Sequence, residues 1–173
     1  MDNKDNLPVK SEERTLDVVR DTNVQFATFF FGEHFFGLPI EDVIEINRAL
    51  DITPVPLAPE YVSGVVNLRG QILTAIHLGK RIGLDTSGSR PLEQLNNLIM
   101  GYREEPVSLL VERIGDVMAV PVDQIEAPPD LIEGVNKNYV KNVCKLPGEL
   151  LIILDTEALQ APPKKGKNQE VTS

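Results

Sequence analysis

Apolar residues in this chain come in short runs broken by glycine, proline and acidic pairs, from about Asn23 to Gln160. "QFATFFF" and "HFFGLPI" are separated only by Gly32-Glu33, which predicts a tight β-hairpin. "NNLIMGYR" and "VSLLVERI" flank Glu104-Glu105-Pro106 and predict a second hairpin. "YVSGVVNLRG", "QILTAIHL", "DVMAVPV" and "ELLIILD" read as further strands. Helical periodicity is brief: "LGKRIGL" offers a turn or two, and "DTEALQA" starts at Asp155, a suitable N-cap. "DVIEINRAL" fits a helix by pattern, but Thr53-Pro54-Val55-Pro56 lies just beyond, so a single turn entering a strand is expected. Many short strands with regular turn signals predict an all-β barrel or sandwich.

The runs also repeat. "GLPIEDVIEI" (Gly37–Ile46) aligns with "SLLVERIGDV" (Ser108–Val117) at a constant spacing of 71 residues. Leu38, Ile40, Glu41, Val43, Glu45 and Ile46 meet Leu109, Val111, Glu112, Ile114, Asp116 and Val117. A hairpin precedes each copy, and an apolar strand running into a short helix follows it: "ILTAIHLGKRI" in one half, "LLIILDTEALQ" in the other. The pattern describes two similar small barrels, with lobes at about 23–83 plus a closing strand and at 96–160. Polar "LDTSGSRPLEQL" (84–95) connects them.

Composition narrows the class. Of 173 residues, 42% are apolar and 25% charged, the profile of a globular protein, and no run approaches the roughly 20 apolar residues of a membrane span. The formal net charge of −9 opposes binding to a phosphate backbone, so no nucleic-acid partner is expected. Residues 1–22 read as a flexible arm without the pattern of a secretory signal, and 162–173 as a disordered tail. The folded part is expected at 23–161 and in the cytoplasm, without direct membrane insertion.

Candidate chemistry is sparse. Cys144 is the only cysteine, so no internal disulfide forms. Beside two lysines it is a conceivable nucleophile with His34 or His77 as base, the basis of an alternative reading as a small cysteine-dependent enzyme. A small core residue is the simpler role. His34 and His77 lack ligand spacing, and there is no phosphate-binding glycine loop or hydrolase motif, so no catalytic residue, cofactor or metal is expected. "ITPVPLAPEYVSG" reads as a proline-stiffened loop between two strands. The residue that stands out is Arg69, in "GVVNLRGQIL": arginine is rarely buried without a partner, and Glu45 is the expected one.

"VSGVVNLRGQIL" followed by "AIHLGKRIGL" resembles the signature of the CheW family of chemotaxis coupling proteins, carried by Gly64, Asn67, Leu68, Arg69 and Gly70. "FFGLPIEDVIEI" resembles the family's Val-x-Glu-Ile segment through Val43, Glu45 and Ile46, and "LIILDTEAL" its closing strand and helix. The resemblance implies two intertwined five-stranded SH3-like β-barrels. It also implies a non-catalytic adaptor, monomeric when isolated and recruited to membrane receptor arrays. Its partners would be the cytoplasmic tip of methyl-accepting chemoreceptors and the regulatory domain of a CheA-type histidine kinase. Receptor contact would map to Val43, Glu45, Gly64, Val65 and Arg69; kinase-contact residues are not assigned. Thr74 and His77 stand where the family usually has proline and aspartate, which points to a paralogue serving a separate motility or chemosensory array.

Overall fold

In the computed structural model, residues 22–162 are described; the expected N-terminal arm and C-terminal tail lie outside them apart from Thr22 and Pro162. The order is β1 (Asn23–Phe31), β2 (His34–Pro39), β3 (Val43–Asn47), β4 (Ile52–Thr53), β5 (Val62–Leu68), β6 (Gln71–His77) and α1 (Leu78–Ile82). The second half follows with β7 (Asn96–Met100), β8 (Val107–Val111), β9 (Arg113–Ile114), β10 (Met118–Pro121) and β11 (Ile125–Glu126). It closes with β12 (Val140–Leu146), β13 (Glu149–Leu154) and α2 (Thr156–Gln160). Both expected hairpins are present, and Ile40–Asp42 is the single 3-10 turn that leads into β3.

One sheet runs β10-β1-β2-β13-β12-β11, with β9 also on β1; the other runs β3-β7-β8-β6-β5-β4. Each has five principal strands, the two-residue pieces β4, β9 and β11 being additions. This is the all-β, SH3-like architecture. The expected lobes 23–83 and 96–160 are repeats rather than barrels, because each sheet takes strands from both halves: β1–β2 joins β12–β13, and β7–β8 joins β5–β6. Parallel contacts make the exchange, β13 beside β2 and β6 beside β8.

The repeat is visible in the register. Val43 faces Met100 as Ile114 faces Phe29, both residues of the pair displaced by 71 positions. Ala75 lies beside Ser108 as Ile153 lies beside Gly37, a displacement of 78 between β6 and β13.

Central strands read as nearly continuous apolar runs because both their faces are buried. On β13, Leu151 and Ile153 enter one barrel with Phe26, Phe35, Val120 and Cys144, while Ile152 and Leu154 face a core between the barrels. On β7, Ile99 enters the other barrel with Val66, Leu73 and Leu110, while Leu98 and Met100 join the same central core. Alternation of period two therefore sorts side chains between two cores instead of between core and water.

β12 carries no clear strand signal in sequence because "VKNVCKL" mixes lysines and an asparagine into its run; only Val140, Val143 and Cys144 are buried. β4 falls at the start of the stretch that reads as a loop, and its two residues form a ladder only because β5 presents Val65 and Val66 opposite them.

Candidate docking face

Arg69 does not lie within a buried run. Leu68-Arg69-Gly70-Gln71 is the two-residue turn joining β5 to β6, with φ of 52° at Arg69 and 86° at Gly70. Positive φ at both central residues is the geometry that matches the right-handed twist of paired strands, and glycine takes the second position without strain. Asn67 Oδ1 accepts the Gly70 N–H at 2.8 Å, tying the turn to its own strand. The sequence "NLRG" thus encodes a hairpin tip that carries an arginine into solvent: its side chain is 73% exposed.

Glu45, on β3, is the partner expected of Arg69. Arg69 Nη1 donates to Glu45 Oε2 at 2.7 Å and Nη2 to Oε1 at 2.9 Å, a bidentate, coplanar type of contact. Asn47 Nδ2 adds a third bond to Oε1 at 2.7 Å. The Arg69 bonds, and then that of Asn47, hold the Glu45 carboxyl below its usual pKa, and Glu45 raises that of Arg69. In hydrogen-bonded order β3 and β5 are separated by β7, β8 and β6. The ion pair therefore ties edge strand β3 to the β5–β6 turn, with β7 and β8 between them in hydrogen-bonded order.

Of the other expected contact residues, Gly64 has a structural reason to be glycine. Its φ is 147°, and a Cβ there would lie 2.2 Å from the Thr53 carbonyl oxygen on β4. Val65 is half-buried between Thr53 and Thr74 on the neighbouring strands, and Val43 packs against the central core. The geometry joins Glu45 to Arg69 and places Gly64 and Val65 on the strand leading to the Arg69 turn. Exposed apolar side chains stand on the same elements: Ile44 and Ile46 on β3 and Ile72 on β6. Ile46 is the isoleucine of the Val-x-Glu-Ile segment, between polar Glu45 and Asn47; Ile72, between Gln71 and Leu73, carries no comparable sequence signal.

The cysteine-enzyme alternative loses its nucleophile. Cys144 is fully buried in a barrel core, where burial, and then Glu126, push its thiol pKa up. His34 is occupied elsewhere, its Nε2 2.9 Å from the Glu133 carbonyl oxygen and its ring stacked on Phe36.

His77 is the N-cap of α1: its Nδ1 accepts the Lys80 N–H at 3.3 Å, and its ring meets the edge of Phe31. Burial, and then Lys80, lower its pKa, which keeps the ring neutral and Nδ1 free to accept.

A family model for the CheW-like domain matches residues 25–162. The chain is 33% identical over 156 residues to the chemotaxis protein CheW of Treponema pallidum, covering 88% of this chain and 91% of that protein. It is 26% identical over 135 residues to the chemotaxis protein CheW of Rhizobium meliloti, covering 78% and 86%. The crystal structure of the scaffolding protein TtCheW from Thermoanaerobacter tengcongensis superposes with a TM-score of 0.73 at 26% identity, covering 84% of this chain and 98% of that one. The chain belongs to the CheW family.

Proposed function

We propose that this chain is a non-catalytic adaptor of chemotaxis signalling, coupling the cytoplasmic tips of methyl-accepting chemoreceptors to a CheA-type histidine autokinase. In this reading it works in the cytoplasm and is drawn to membrane receptor arrays through its partners. The observation that supports it most is the exposed bidentate pair Arg69–Glu45 at a hairpin tip, in a chain whose CheW-like domain spans residues 25–162. A rigid tip that offers fixed charge beside exposed Ile44, Ile46 and Ile72 combines the apolar area that gives affinity with the charges that set register. Val43, Glu45, Gly64, Val65 and Arg69 are the receptor-facing residues of this proposal.

An adaptor of this kind acts by binding one conformational state of an assembly more tightly than another. Its two barrels share one buried central core, so they move as one scaffold and pass a change in receptor packing to the kinase. Co-sedimentation of the full chain with receptor-bearing membranes, with and without the kinase regulatory domain, tests the reading. Recruitment of the kinase domain only when the chain is present is the expected result; a folded chain that binds neither partner contradicts it. His77 in place of the family's usual aspartate favours a second reading, a paralogue that serves a separate motility or chemosensory array.

A further inference from the structure

Arg81, on α1, is a buried cation with no carboxylate partner among the described residues. It is 8% exposed and takes part in no ion pair among the described residues. Its Nη2 donates to the carbonyl oxygens of Ala158 and Ala161, at the end of α2. The guanidinium carbon lies 4.1 Å from the Tyr61 ring centre and 5.0 Å from that of Tyr139. These two tyrosines are equivalent in the two repeats: Tyr61 O accepts the His77 N–H, and Tyr139 O accepts the Asp155 N–H. Arg81 therefore sits where the halves meet, while the matching position on α2 is the fully buried Leu159.

Two rings and a helix C-terminus offset part of the desolvation of this charge. They leave donors unfilled. Nε is buried with no partner, and no hydrogen bond to Nη1 is present among the described residues. Buried charges are ordinarily paired, and buried donors ordinarily bonded. Arg81 also lines a cavity of about 580 Å³, together with Tyr61, Tyr139, Asn138, Ala161 and Pro162.

We propose that this cavity binds a carboxylate group, held by Arg81 between Tyr61 and Tyr139. Among the described residues, Arg81 is the one cation in the lining, and the tyrosine hydroxyls and the Asn138 amide are neutral donors. One guanidinium with neutral neighbours suits a planar monoanion better than a dianionic phosphate. The carboxylate comes either from a free small acid or from an acidic side chain of a bound partner.

Tyrosine emission reads the site directly, because the chain has 3 tyrosines and no tryptophan, and two of those tyrosines line the cavity. The full chain is titrated with propionate and, separately, with acetyl-Gly-Glu-Gly-amide, each against sodium chloride of matched ionic strength. A saturable change is expected, tighter for propionate if the ligand is a free acid and tighter for the peptide if it is a side chain. Asn138→Asp, which supplies a carboxylate from within, should weaken both by about ten-fold or more and raise the thermal midpoint. Arg81→Gln should abolish both; if that variant does not fold, Asn138→Asp still decides. No saturable change with either probe, or titrations unaltered in Asn138→Asp, overturns the proposal.

Discussion

His77 and Asp155 occupy the same place in the two repeats. His77 ends β6 and Asp155 directly follows β13; each donates its N–H to the carbonyl of the equivalent tyrosine and caps a five-residue helix with its side chain. Asp155 accepts the Ala158 N–H as His77 accepts that of Lys80. Where the second repeat has a carboxylate acceptor the first has an imidazole, whose accepting nitrogen is lost on protonation.

Acid sensitivity follows with a definite sign. The folded His77 pKa lies below the usual 6.5, so below about pH 6.5 the unfolded chain takes up a proton that the folded chain refuses. Stability from the neutral cap is full above that pH and falls as pH drops toward the folded value. Lys80 opposes protonation and Glu112 favours it, the two charges that act on the ring. His77→Asn keeps an acceptor that does not titrate. Urea midpoints measured from pH 7.5 to 5 should fall more steeply for the parent than for His77→Asn; parallel curves would refute the assignment.

Gly64→Ala should destabilise the fold by about 1–3 kcal/mol from overpacking against Thr53, with added backbone strain at φ of 147°. Chemical denaturation reads this directly. Gly70→Asn, at a turn position where a Cβ meets nothing within 4 Å and asparagine tolerates positive φ, should change the midpoint far less.

Cys144 should resist a thiol reagent in the native state and react on unfolding. Its modification rate should therefore track the opening of the barrel that holds Leu151 and Ile153. Rapid labelling of native protein at neutral pH would revive a cysteine-based activity.

Much of the fold was legible because two signals agree: turns placed between apolar runs, and a repeat whose spacing reappears as strand register. What hid was where the repeats exchange strands. Nothing local in "ELLIILD" says that Leu151 pairs with Phe35 in the other half of the sequence. β12 hid behind its lysines, since an outer strand needs only one apolar face. The Arg69–Glu45 pair could be anticipated from charge and family likeness, but its setting was misread. Flanking leucines made "NLRGQIL" look buried, whereas Asn67 and Gly70 mark a turn that lifts Arg69 into solvent. The setting of Arg81, with Nε lacking a partner among the described residues, had no sequence signal, because Tyr61 and Tyr139 reach it from different halves.

The Arg69–Glu45 pair separates docking from folding because its arginine is largely solvent-exposed, and ion pairs open to solvent add little to stability. The most direct test measures receptor-tip binding and the urea midpoint together for Arg69→Glu, Glu45→Arg and the double reversal. The account predicts that each single reversal weakens receptor binding by about ten-fold or more while leaving the midpoint nearly unchanged. It also predicts that the double reversal restores the pair but not full affinity, because the hairpin tip then presents the wrong charge. Receptor binding that survives both single reversals, or that falls only in step with the midpoint, would contradict it.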